Sequence, residues 1–502
     1  MLRRVSALTA LIVVCSAHVG SPDAWYEGPA GPYHVVVQVA TPSVVPGVAN
    51  VYVRVSGAGV EQVTVQANRF DALAAAPPPE IANPVEGDPG FYSAPLWVMT
   101  GGSNSVTVNV RGTLGEGKAV VPVVVVANRR LALDPKLGGL LSVVGLFLFV
   151  GLVTIIGAAV REGVLAPGEQ PDSHRRWKAR MTMSLSATVL ALVLFGGSRW
   201  WNSEDTRFNN SIYKPLTSAA SIKGGNILDL RVTDSVWIKR GDTAWLNKHN
   251  SSRWTPLIPD HGKLIHVFMV KEADLLAFAH LHPSSIDSTS FPATLPPLPA
   301  GRYRVYGDIV HESGFTQTLA TTVDLPAAVG SPARFGDPDD ASLISTGQPN
   351  ASTATLEDGS MMTLEHSGEF REGKSTSLRF SVRDKSGQPH SLEPYIGMAG
   401  HAVVTRDDGA VFVHLHPSGT ISMASQLAFT MRTAADTIPG ELGKRIQLAE
   451  AAHPMPMTQT SSTVSFPYAF PMPGKYHMWV QVKHAGRILT GPFAFEVAPA
   501  RP

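Results

Sequence analysis

Two stretches of this chain carry the same ordered motif, and that repeat constrains the fold more than any other feature. The first copy runs Gly262-Lys-Leu-Ile-His266, then Phe278-Ala-His280-Leu-His282-Pro283, then Gly301-Arg-Tyr303 and on to His311. The second runs Gly400-His401, then Phe412-Val-His414-Leu-His416-Pro417, then Gly474-Lys-Tyr476 and on to His484. His266 to His280 is 14 residues and His401 to His414 is 13, while Tyr303 to His311 and Tyr476 to His484 are both eight. The large difference in length falls between the His-x-His pair and the tyrosine, where the second holds an insertion over 419–463. Agreement in order and spacing predicts two homologous domains, 215–327 and 353–499, joined by a Gly/Ser/Pro/Asp-rich linker at 328–352.

Residues 18–130 show short alternating runs such as His34-Val-Val-Val-Gln-Val39 and Ser105-Val-Thr-Val-Asn-Val110. They are rich in β-branched residues and separated by Gly/Pro/Asn turns, the pattern of an antiparallel sandwich. The expected fold is therefore mainly β, with three immunoglobulin-like β-sandwich domains plus two transmembrane helices.

The helices come from two uncharged stretches. Residues 137–160 span 24 positions without a charge, enough for ~30 Å of hydrocarbon. Residues 181–197 are shorter and are followed by Trp200 and Trp201, where an aromatic belt would lie. Neither holds an internal acid or base, which argues for anchors rather than a transport path. Between them, 161–180 is a short loop with Arg161, Arg175, Arg176, Lys178 and Arg180. Residues 1–17 read as a signal peptide: Arg3 and Arg4, an apolar run to Cys15, and small residues at Ser16 and Ala17. That signal orients the chain: the loop is cytoplasmic, and all three sandwiches lie outside a bacterial inner membrane, on its periplasmic or extracellular side.

Cys15 is the single cysteine, which excludes an internal disulfide framework and any all-cysteine metal site. A formal charge of +1 gives no basic face for nucleic acid. Histidine remains: 14 of the 17 lie after residue 215. On a strand, i and i+2 share a face, so His280 and His282, and likewise His414 and His416, can each present two imidazoles to one ion. Imidazole suits Cu, Zn, Ni and Fe. The expected ligands are His266, His280, His282 and His311 in one domain and His401, His414, His416 and His484 in the other. Binding requires neutral imidazole and should weaken below about pH 6. The alternative is that each histidine only holds a turn at a sandwich rim.

The run Glu393-Pro-Tyr-Ile-Gly-Met-Ala-Gly-His401, with Phe412-Val-His-Leu-His-Pro417 and Pro473-Gly-Lys-Tyr476, resembles the YtkA-like family of exported bacterial β-sandwich domains. The resemblance covers residues 370–499 well and 225–326 less well, where the first copy lacks the Pro-Tyr-Ile-Gly lead-in. It implies an exported immunoglobulin-like sandwich that handles metal. A sandwich beginning at His18 is similar to the CopC-type copper-binding proteins, whose likeness implies copper chelation at that terminus. Met423, Met431, His453, Met455 and Met457 in the insertion add soft donors or merely cover apolar surface.

No Gly-x-Ser-x-Gly elbow, phosphate loop or His-Glu-x-x-His motif occurs, so no enzyme is expected. The sequence reading is an anchored, exported protein that binds copper, with zinc second, for delivery, sensing or resistance. Its rival is a structural or interaction module of an envelope complex, including a role in oxidase assembly.

Overall fold

A computed structural model describes the chain except residues 1–17, 20–22, 73–75, 240–251, 286, 327–335, 453–460 and 502. The signal-peptide segment with Cys15, the start of the expected linker, and His453, Met455 and Met457 thus lie outside the described residues. The chain forms two compact units, residues 1–125 with 215–502, and residues 126–214.

The first unit is mainly β. Strict alternation is what makes its strands: along Tyr33–Ala40, Tyr33, Val35, Val37 and Val39 are buried while His34 is exposed. Residues 23–125 contribute a five-stranded and a four-stranded antiparallel sheet. The first repeat contributes a three-stranded sheet (Ser218–Lys223, Ile227–Val232, Ser290–Thr294) and a six-stranded one. At the centre of the latter, Gly301–His311 pairs with His266–Lys271, which pairs with Ala277–Leu281. The second repeat matches it: Gly474–His484 pairs with His401–Arg406, which pairs with Val411–Leu415. The expected linker is partly strand, because Ala341–Ile344 adds to Ala277–Leu281. His18–Val19 pairs in parallel with Val411 and Phe412 at the edge of the second repeat's large sheet.

Within each repeat the two sheets share one core. Leu228, Leu230 and Phe291 from the small sheet pack with Val267, Met269, Leu281 and Tyr303 from the large one. Leu364, Phe380 and Phe466 do the same with Val404, Val413 and Met478. Because side chains alternate along a strand, the other face of each large sheet is left to bury. Those faces bury against each other through Phe268, Phe278, Tyr306, Val403, Phe412 and Trp479. Phe412 stacks on Tyr306 at 3.8 Å between ring centres, and Phe278 on Trp479 at 4.8 Å. Tyr306 and Trp479 each lie three residues past the repeated tyrosine, so the two stacks are reciprocal.

The 419–463 insertion is helical over Met423–Met431 and Glu441–Ala452. Both helices are anchored on the first repeat: Asp260 Oδ1 accepts from Ala424 N at 2.9 Å, and Glu312 accepts from Gly440 N and Gly443 N. Met431 packs against a small apolar cluster that includes Ile258 and Val310. On the residue 23–125 side, Gln426 donates to the Val120 carbonyl and Ser103 to the Ser313 carbonyl.

The second unit holds two helices long and apolar enough to cross a membrane, Pro135–Glu162 and Ser173–Ser211, with mean hydropathy 2.7 and 1.6 in their best windows. Only 11% and 0% of those windows is buried, which separates them from core helices of a soluble domain. Asp134 and Asp172 cap their first turns. The second helix starts before the apolar run, so Arg175, Arg176, Lys178 and Arg180 sit on helix rather than in a loop. The two pack closely where Gly157 faces Met183, and a Cβ at Gly157 would collide with the thioether.

Candidate metal centre

The reciprocal docking of the two large sheets brings the repeated histidines into one place. His266 shares the inter-repeat face with Phe268, and His280 and His282 share it with Phe278; His401, His414 and His416 repeat the arrangement beside Val403 and Phe412. His282 and His416 stand just past their strands, and Pro283 and Pro417, which have no N–H to donate, follow them. All six histidines are 8% exposed or less. Buried imidazole in that number demands partners.

The partners lie mostly on the outside of the cluster, and they are acceptors. His280 Nδ1 donates to Gln481 Oε1 at 2.8 Å, and His282 Nδ1 to Asp340 Oδ1 at 3.0 Å. His266 Nε2 donates to the Asp260 carbonyl at 3.3 Å, and His416 Nδ1 to the Ile421 carbonyl at 3.1 Å. His414 Nδ1 lies 3.4 Å from Asp308 Oδ2. Each outer acceptor holds the proton on the outer nitrogen and turns a lone pair inward. Nε2 of His282, His414 and His416 and both nitrogens of His401 have no hydrogen-bond partner among the described residues. His266 Nδ1 and His280 Nε2 face each other at 3.2 Å. With both outer protons in place, that contact sets two lone pairs against each other, an arrangement that suits a shared metal ion. In the other tautomer of either ring the same contact is an N–H···N hydrogen bond.

An added proton, which would make a ring cationic, is disfavoured. Burial, then the neighbouring histidines, hold His266, His280, His401 and His414 well below the usual imidazole range. Burial and His261 bring His416 down to about 4. Burial pushes the Asp308 carboxyl up to about 7, so above that pH it is the anion facing His414. Protonation of these histidines therefore lies at lower pH than the value near 6 that free imidazole implies.

Two triads have donor atoms within 4.8 Å of one another: His266, His280 and His282, and His261, His401 and His416. His282 also groups with Asp337 and Asp340, but Lys263 Nζ, 2.6 Å from Asp337, already neutralises part of that acidic set.

Of the eight histidines expected from the sequence, six gather here and two do not. His311 Nδ1 donates to the Thr255 carbonyl at 2.8 Å and its Nε2 accepts from Gln317 at 2.7 Å. His484 Nδ1 donates to the Ser391 carbonyl at 2.6 Å, and the ring lies 3.7 Å from that of His390 at a tilt of 39°. Both end the strand that carries Asp308 and Gln481, and the odd number of residues from Asp308 to His311 and from Gln481 to His484 turns them off the shared face. The second difference is organisational: the expected separate centre in each domain is replaced by one cluster between them.

His261, Asp340 and Tyr395 were not legible as site residues. His261 precedes Gly262 in a two-residue turn closed by Asp260 and Lys263, and Ile396 precedes Gly397 in the same turn closed by Tyr395 and Met398. His261 and Ile396 have φ of 54° and 49°, and Gly262 and Gly397 have 77° and 74°. Pro259 and Pro394 both stand seven residues before the first histidine of their repeat, and that Pro-x-x-Gly spacing was the available signal. Tyr395 places its hydroxyl 3.3 Å from His280 Nδ1 while donating to the Asp339 carbonyl.

Residues 353–438 and 445–499 match the model of a domain of unknown function, DUF8832. No curated protein matches the chain. Among solved structures, a putative membrane anchored protein from Corynebacterium diphtheriae is 10% identical over 96% of this chain and 98% of its own, with a TM-score of 0.15. Dimeric latent PorU from Porphyromonas gingivalis is 8% identical over 95% of this chain and 34% of its own, also at 0.15. An engineered protein is 21% identical, but the match spans 18% of this chain and 20% of that one, with a TM-score of 0.15. Likeness at that level carries no argument about function.

Proposed function

We propose that this is a membrane-anchored, exported metal-binding protein, copper first and zinc second, that serves metal delivery, sensing or resistance. The observation that carries the proposal is the 3.2 Å approach of His266 Nδ1 and His280 Nε2, with His282 Nε2 beside them and each outer nitrogen engaged by an acceptor. Second-sphere acceptors of this kind fix the tautomer of metal-bound histidine. The donors are neutral and dry, and a monovalent ion costs less to desolvate there than a divalent one; this favours copper(I) over zinc(II).

On this reading the three β regions are immunoglobulin-like sandwiches outside a bacterial inner membrane, held by two helices. Paired sheets with a shared core support the sandwich, as do Tyr303 and Tyr476, whose hydroxyls donate to carbonyls four residues upstream at 2.8 Å. The likeness of residues 370–499 to YtkA-like domains points the same way. The test is metal content of the full chain purified without chelator, beside a variant with His266, His280 and His282 changed to Ala. Copper or zinc that the triple variant loses supports the reading; no metal in either, or equal metal in both, overturns it in favour of a structural module.

A further inference from the structure

His261 is the one histidine of the cluster that has no counterpart in the other repeat, since Ile396 occupies the matching turn position. Its side chain is 1% exposed, with Nε2 3.7 Å from the Asp260 carboxylate of its own turn and the ring against two histidines of the second repeat. Ring centres are 5.9 Å from His401 and 5.4 Å from His416, and those two are 5.2 Å from each other. Neither nitrogen of His261 or His401, nor Nε2 of His416, has a hydrogen-bond partner among the described residues. Five buried nitrogens on three rings without a hydrogen bond are a large desolvation cost, and the Asp260 carboxylate, 3.7 Å from His261 Nε2, stands beyond hydrogen-bond distance.

The turn that delivers His261 is common to both repeats, and the first places a histidine where the second has Ile396. His261 adopts a left-handed φ of 54°, uncommon for residues other than glycine but tolerated by histidine, asparagine and aspartate better than by most. Asp260 and Lys263 close the turn with two backbone hydrogen bonds. The Asp260 carboxylate is in turn held by the N-terminus of the insertion helix Met423–Met431, at Ala424 N. The second repeat therefore uses its own insertion to seat a ligand borrowed from the first.

We propose that the centre binds two ions, and that the second is held across the two repeats by His261, His401 and His416. This rests on the metal-binding reading above and extends it from one ion to two. His414 stands between the triads, with ring centres 5.4 Å from His401, 4.4 Å from His416, 5.3 Å from His266 and 5.8 Å from His280. Its Nε2 is unpartnered and available to either ion. The two sites differ in their outer partners. The first triad is backed by the Asp340 carboxylate, hydrogen-bonded to His282 at 3.0 Å, whereas the second has the Ile421 carbonyl behind His416 and the Asp260 carboxylate only at 3.7 Å from His261. A carboxylate behind the imidazole raises its basicity, so the first site binds more tightly.

The test is the number of ions per chain. Full-length protein in detergent is loaded anaerobically with copper(I), and in parallel with zinc(II), dialysed, and measured by elemental analysis. Wild type is expected to hold two ions. His261→Ile copies the residue the second repeat uses at the same φ, and it is expected to hold one. His261→Asn, which tolerates a left-handed φ, checks that the loss follows the ligand and not the fold, with thermal melting as the folding control. One ion in wild type that His261→Ile retains, or two ions in both proteins, overturns this inference and leaves the metal-binding reading standing. No ion in wild type overturns both.

Discussion

Gln481 of the second repeat accepts the Nδ1 proton of His280 in the first at 2.8 Å, while Asp308 of the first faces His414 of the second at 3.4 Å. Gln481 and Asp308 occupy the same position in the two copies, each opposite the first histidine of its own sheet. Each repeat thus orients a histidine of the other. The two domains are not parallel copies of one site but halves of a shared one.

Replacing Gln481 by Leu leaves the buried Nδ1–H of His280 without its closest acceptor. The expected cost is about 1–3 kcal/mol of stability, read by denaturant titration. Metal affinity should fall roughly 10–100-fold, as for other second-sphere losses, read by chelator competition. Unchanged affinity would show that His280 is not oriented through Gln481.

Trp479→Ala removes the stack on Phe278 and a 1% exposed side chain from the joint between repeats. A loss of about 3–5 kcal/mol is expected. Thermal melting gives the magnitude, and metal retention should fall with it because the same joint aligns both triads.

Acid should unfold the metal-free protein early. His266, His280, His401, His414 and His416 have lowered folded values, so the unfolded chain binds their protons first as pH drops below about 6.5. Their contribution is present in full above that pH and is lost as pH falls toward the folded values, about 4 for His416. Each group contributes roughly 1.4 kcal/mol per pH unit in that window. Melting temperature against pH, with and without metal, checks this; a flat profile for the metal-free protein between 6.5 and 4 would contradict it.

His484→Ala should leave the metal content unchanged, because His484 is committed to the Ser391 carbonyl and to His390. His282→Ala should lower it. Elemental analysis of the two variants side by side separates the strand-end histidine from the triad.

The apolar helices predict that the chain stays in the pellet when membranes are washed with alkaline carbonate. Release into the supernatant would show that Pro135–Glu162 and Ser173–Ser211 do not span.

Local pattern was enough for the strands, the two apolar helices and the inward set of the His-x-His pairs. A period of two carries face information, and it placed Phe278, His280 and His282 together against Ala279 and Leu281, as found. The same rule, applied along Gly301–His311 and Gly474–His484, turns His311 and His484 away, and matched spacing alone hid that parity. The insertion carried no signal that its two helices would brace the first repeat rather than cover the second.

The sequence by itself determined that this chain repeats a β domain, that its histidines cluster on one strand face, and that a 24-residue uncharged run is long enough to cross a membrane. Only the tertiary structure decided that the two histidine faces close on each other. The reason is area: each large sheet spends one apolar face on its own domain's core, and Phe268, Phe278, Tyr306, Phe412 and Trp479 leave the opposite face too apolar to stay wet. Burying that second face against its copy is what brings His261 to His401 and His416, a contact between residues 140 and 155 positions apart that no local spacing records.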